Sequence, residues 1–141
     1  MPLPDADLAV VTAAASSPDW QVRAQAGRDL AGWAHRGDVG EVLLRLVLDR
    51  HDTAVTDATS RALLQRHDVH GLRVIARALA TAHDSEYADH LHDAITQHLL
   101  PDGPVAEFRG LCDELGEDPD PAVRRGASHL RNMAAPWTPT P

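Results

Sequence analysis

Apolar and polar positions follow one another along this chain at helical spacing, and the helical stripes recur. An Asp followed three positions later by a large apolar residue appears in Asp19-Trp-Gln-Val22, Asp52-Thr-Ala-Val55, Asp84-Ser-Glu-Tyr87 and Asp120-Pro-Ala-Val123, at successive spacings of 33, 32 and 36 residues. Four residues past each apolar anchor stand Ala26, Thr59, Leu91 and Ala127. Eight past it stand Leu30, Leu63 and Ile95, and the last copy places Leu130 one position early. Positions i, i+4 and i+8 share one face of a helix, so each copy predicts an amphipathic α-helix. Each Asp stands where a carboxylate accepts the free amide protons of a first helical turn.

A second set of helices lies half a period away. Asp38-Val39, Asp68-Val69 and Asp102-Gly-Pro-Val105 open it, and Pro104 suits a first-turn position. Val69, Leu72, Ala76 and Leu79 repeat the spacing of Val105, Phe108, Cys112 and Leu115. The segment Val39 to Leu48 is apolar on nearly every side, which predicts a helix sandwiched between neighbours. With a further helix from about Asp5 to Ser16, the pattern predicts about eight helices and no strand. Short turns make successive helices antiparallel, and a regular beat stacks them in layers, because a two-helix unit cannot bury its apolar stripe alone. The expectation is an all-α fold, a small α-solenoid over residues 1–134, followed by the Pro-rich tail 135–141.

Composition sharpens this. Apolar residues make up 43% but aromatics only 4%, so the core must be built from Ala, Leu and Val. All 13 basic residues are Arg, 16 of the 21 acids are Asp, and the formal net charge is −8. Such a surface repels phosphate backbones, which makes nucleic acid an unlikely partner and favours a basic one. The single Cys112 excludes an internal disulfide framework and fits a reducing compartment. The run Leu8 to Ser16 imitates a secretory signal, but Met1 to Asp7 carries acids and no Arg or Lys. No stretch reaches the ~18 apolar residues of a membrane span. These features point to a cytoplasmic protein.

The segment Asp118-Pro-Asp-Pro-Ala-Val-Arg-Arg-Gly-Ala127 resembles the first helix of a HEAT repeat in the short form common in bacteria. Ser17-Pro-Asp-Trp-Gln-Val-Arg-Ala-Gln-Ala26 resembles it too, including the Arg directly after the Val, whereas Thr56 and Ala88 replace that Arg in the other two copies. The resemblance implies a right-handed α-solenoid of about 3.5–4 HEAT-like hairpins. It also implies a habit of binding other macromolecules along the concave face lined by the second helix of each unit.

Candidate chemistry is sparse. His51-Asp52, His67-Asp68 and His83-Asp84 recur every 16 residues and His35 fits the same ladder. Histidine-aspartate pairs serve as metal ligands in helical phosphohydrolases. Here, however, each His falls at a helix end, where an imidazolium suits the terminal carbonyls. His83, Glu86, His90, His92, Asp93 and His98 form a denser group, the basis of an alternative reading as a metal-dependent hydrolase, but no His-Glu-x-x-His arrangement occurs. Cys112 sits on the apolar side of its helix with Phe108 and Leu115, which makes it a buried thiol rather than a nucleophile. There is no Gly-x-Ser-x-Gly elbow and no phosphate-binding glycine loop. Neither catalysis nor a cofactor or metal is expected. Trp20 and Trp33 read as packing residues, and Trp137 as a cap over the last layer.

The expected working surface is the second-helix face, with Glu41, Arg45, Arg73, Arg77, Glu107, Arg109, Asp113 and Glu114 outside the apolar stripe. Asp113 to Asp120 holds five acids in eight residues, a feature that would attract a basic partner and speed encounter. The reading is a non-catalytic protein-binding module, an adaptor, inhibitor or immunity-type protein that masks a basic surface on a partner such as a toxin. The Arg- and Asp-rich, Lys-free composition suggests a GC-rich bacterial genome. A nucleic-acid groove formed by Arg45, Arg73 and Arg77 is the third alternative.

Overall fold

A computed structural model describes residues 5–49, 51–82, 86–98 and 105–134. Among these residues there are eight α-helices and no strand: α1 (Asp5–Ala14), α2 (Trp20–Leu30), α3 (Gly37–Val47), α4 (Thr53–Leu64), α5 (Val69–Ala82), α6 (Glu86–His98), α7 (Val105–Leu115) and α8 (Pro121–Ala134). A 3-10 turn, Ala31–Trp33, extends α2. Asp84, Pro104 and the tail with Trp137 lie outside the described residues. No described helix is long and apolar enough to cross a membrane.

The aspartates start helices as their spacing predicts. Oδ1 of Asp19, Asp52 and Asp120 each accepts the amide proton two residues on, from Gln21, Ala54 and Ala122, at 2.9 Å in all three. Pro121 after Asp120 takes the first-turn position, where no amide proton is needed. Asp68 accepts from the Gly71 amide at 3.0 Å and opens α5 in the same way. Asp38 does not. Helix α3 begins one residue earlier with Arg36 at the cap, and Asp38 sits in the first turn, pairing with Arg36 and accepting from the Val39 amide. A carboxylate there still complements the helix dipole, so the start is electrostatically sound without the cap.

Two predicted stripes are buried throughout, Val55, Thr59 and Leu63 in α4 and Val123, Ala127 and Leu130 in α8; in α6 Leu91 and Ile95 are buried, while the side chain of the anchor Tyr87 lies outside the described residues. In the first, Ala26 and Leu30 are buried but the anchor is not: Val22 is 39% exposed and its neighbour Arg23 only 9%. Arg23 is tolerated inside because every arm of its guanidinium is used. Nε donates to Asp49 Oδ2 at 2.8 Å, and Nη1 donates to the carbonyls of Ser17 and Pro18 at 2.9 and 3.1 Å. The matching Arg124 in α8 donates from Nη1 to the Asp118 carbonyl, also six residues back. With Arg23 inward, α2 presents Ala24 and Gly27 to the core, and Thr59 of α4 occupies the space where a Gly27 side chain would be.

Helices α2, α4 and α6 pack side by side in one row, and α3, α5 and α7 in a second. As its apolar girth predicts, α3 is wrapped by α2, α4 and α5, burying Val39, Val42, Leu43, Leu46 and Val47. Each such Leu or Val contributes about 1.5–3 kcal/mol. Arginine forks tie the corners: Arg66 holds Asp68 and reaches the Ala31 carbonyl at 2.8 Å, joining the end of α4 to α2. A lysine cannot make two such contacts with one planar group, which gives the Lys-free composition a structural use.

The last helix leaves the regular order. A continued stack would lay α8 beside α6, but α8 packs mainly on α5 and on α7. Gly126 permits it: a Cβ there would fall 2.7 Å from Ala76 Cα and nearer still to the Ala76 carbonyl. Arg73 holds Asp118 at 2.9 Å and Arg77 holds Asp120 at 3.5 Å, fixing the turn before α8 onto α5.

Candidate docking site

Two hollows flank α3. The first, about 480 Å³, lies between α3 and α5 and is lined by Gly37, Gly40, Glu41 and Leu44 of α3 and by His70, Arg73, Val74 and Arg77 of α5. These four pairs are equivalent positions one period of 33 residues apart, so the groove is made by the repeat itself. Their spacing of three, one and three residues keeps each set on one helix face. Ala34, His35 and Arg36 close one end and Asp120 the other side. His35 meets Trp33 face to face and His70 edge-on, each with ring centroids 6.1 Å apart. Arg36 lies over Trp33 at 5.8 Å.

Charges inside this groove are matched by the chain's own acids. Arg77 pairs with Glu41 at 2.5 Å and with Asp120, while Arg73 pairs with Asp118. Partial burial pushes the Asp118 carboxyl up, but the Arg73 guanidinium and the Asp120 amide outweigh it and hold the group below the usual carboxylate range. Arg73 is raised in turn, chiefly by its hydrogen bond to Asp118. The groove is therefore polar and nearly neutral, with the half-buried Leu44 and the buried Val74 as apolar lining.

On the other side of α3, a hollow of about 730 Å³ is lined by Ala15, Ser16, Ser17, Pro18, Arg23, Val42, Arg45, Leu46, Asp49 and His51. The buried Arg23–Asp49 pair forms its floor. Burial raises Asp49, yet the Arg23 guanidinium and the amides of Asp52 and His51 together keep it low. Arg45 is exposed at the rim.

The eight residues expected on one surface thus divide. Glu41, Arg73 and Arg77 share the groove, and Arg45 lines the second hollow, so the three arginines line no single hollow. Glu107, Arg109, Asp113 and Glu114 are exposed on α7 and line neither hollow. The acidic run is partly consumed internally: Asp113 pairs with Arg131, Asp118 with Arg73, and Asp120 caps α8. Groove residues missed by sequence reasoning include Gly40, Leu44, His35, His70, Val74 and Asp120. The 33-residue beat could have found Gly40 and Leu44 as counterparts of Arg73 and Arg77. Asp120 comes from a distant turn that no local pattern reveals.

The remaining candidates fall as follows. His35, His51 and His67 sit in the turns after helices, as predicted. His83 and the side chains of Glu86 and His98 lie outside the described residues, and His90 and Asp93 are exposed. Among the described residues no three His, Cys, Asp or Glu side chains gather as a metal would require. Cys112 is buried, and burial pushes its thiol up to about 11. Trp33 is half-buried, but Trp20 is 43% exposed rather than packed. Comparison of the chain with protein-family models, curated proteins and solved structures gives no match.

Proposed function

We propose that this chain is a non-catalytic protein-binding module, a short HEAT-like right-handed α-solenoid that holds a segment of its partner across α3. The observation that carries this reading is the groove between α3 and α5, built from equivalent positions of successive units and leaving open space over Gly40. Its lining mixes the apolar side chains of Leu44 and Val74 with paired charges, which suits a polypeptide better than a phosphate backbone. Exposed Glu107, Glu114 and Glu117, with the net charge of −8, favour a partner that is basic outside the docked segment. An adaptor or inhibitor works in this way, by occupying a surface.

The test is affinity capture from the producing cells with three forms of the full chain. Wild type and Asp93→Arg, altered on the exposed side of α6, retain the same protein. Gly40→Trp, whose side chain fills the groove without meeting another group at its base, loses it while keeping its helical circular dichroism. Equal retention by Gly40→Trp contradicts the reading.

A further inference from the structure

We propose that His92 of α6 and His129 of α8 form a two-histidine site for a divalent transition-metal ion that clamps these helices together. Their Nε2 atoms stand 2.9 Å apart, with ring centroids 4.8 Å apart and planes inclined by 53°. The two rings belong to helices that are not neighbours in the chain, and both are half-buried. The two Nε2 atoms face each other across a gap that one ion bonded to both can bridge. With metal–nitrogen bonds of about 2.0–2.1 Å, such a nitrogen separation corresponds to an angle near 90° at the metal. That is the cis angle of tetragonal and octahedral sites, which favours Ni²⁺ or Cu²⁺ over the tetrahedral preference of Zn²⁺. No group of three His, Cys, Asp or Glu side chains gathers there among the described residues, and an ion held by the two rings would tie α6 to α8. The site gives α8, which packs on α5 and α7, a further hold, on α6. This proposal is independent of the docking groove.

The test uses tag-free, EDTA-treated full chain titrated with NiCl₂ by calorimetry and thermal melting. Ni²⁺ raises the melting temperature of the wild type, and His92→Gln or His129→Gln weakens binding by about tenfold or more, since losing one imidazole abolishes the chelate. His90→Gln, on another face of α6, binds as wild type does. Gln keeps a hydrogen-bonding group at each position, and melting in EDTA checks that the variants fold. If they do not, Cu²⁺ broadening of wild-type imidazole resonances decides: it must be confined to His92 and His129. Equal affinity in the Gln variants, no binding at millimolar Ni²⁺, or broadening spread over the other histidines overturns the proposal and leaves a simple N–H···N hydrogen bond.

Discussion

Replacing Gly126 by Ala tests the seat of α8 on α5. In an exposed helix interior this change is favourable by about 1 kcal/mol, because glycine loses more backbone entropy. At Gly126 the added Cβ meets backbone, with Ala76 Cα at 2.7 Å and its carbonyl closer. Backbone cannot rotate aside as a side chain can, so α8 must draw back from α5 and loosen Val123, Ala127 and Leu130, all buried. Overpacking of this kind costs about 1–3 kcal/mol, and the upper end applies to an unyielding obstacle. After the propensity gain, the net loss is about 1–2 kcal/mol, or a fall in melting temperature of roughly 3–8 °C. Gly110→Ala in α7 is the control, since nothing lies within 4 Å of a Cβ there, and it should gain about 0.5–1 kcal/mol. Urea unfolding followed by circular dichroism measures both. Opposite signs support the packing described; a Gly126→Ala variant as stable as Gly110→Ala refutes it.

Three further outcomes follow from single residues. His67 is exposed and holds a left-handed backbone at φ 53°, its amide donating to the Leu64 carbonyl; His67→Gly should stabilise by about 0.5–1 kcal/mol in urea melts, and a loss would contradict the turn geometry. Asp49→Asn leaves Arg23 buried without its counter-charge and should cost about 3 kcal/mol at pH 7. Because the folded Asp49 carboxyl lies below its unfolded value of about 3.9, its contribution is complete above that pH and fades as pH falls through the folded value. Wild type should therefore lose more stability than Asp49→Asn on acidification below about pH 4, and parallel curves would refute the buried pair. Cys112 should react with a thiol indicator at pH 8 far more slowly in the native protein than in urea, and rapid native labelling would place it outside the core.

The helices and their caps were legible because they obey local rules. Asp19, Asp52 and Asp120 precede apolar stripes at fixed offsets, and short polar caps act within two residues of themselves. The exchange of Val22 for Arg23 at the start of α2 was not legible. Val22 fits the apolar period and Arg23 does not, and only the arrival of Asp49 from another turn makes the buried guanidinium affordable. The seat of α8 was hidden for a similar reason: Gly126 reads as a weak helix residue until Ala76 is known to lie against it. At the docking site, charges outside the stripe were found by elimination, which identified Glu41, Arg73 and Arg77 but not the pairing of Arg77 with Glu41 and Asp120 or of Arg73 with Asp118. Ion pairs between Arg73 and Asp118 span 45 residues, a separation no periodicity argument reaches.

The central claim is that a partner lies across α3, with one side in the groove formed with α5. Hydrogen–deuterium exchange on the captured complex tests this most directly. Slowed exchange should centre on residues 35–46 and 70–77, with no change along the outer side of α6 between residues 89 and 97. Protection concentrated on α6, with 35–46 unaltered, would contradict it.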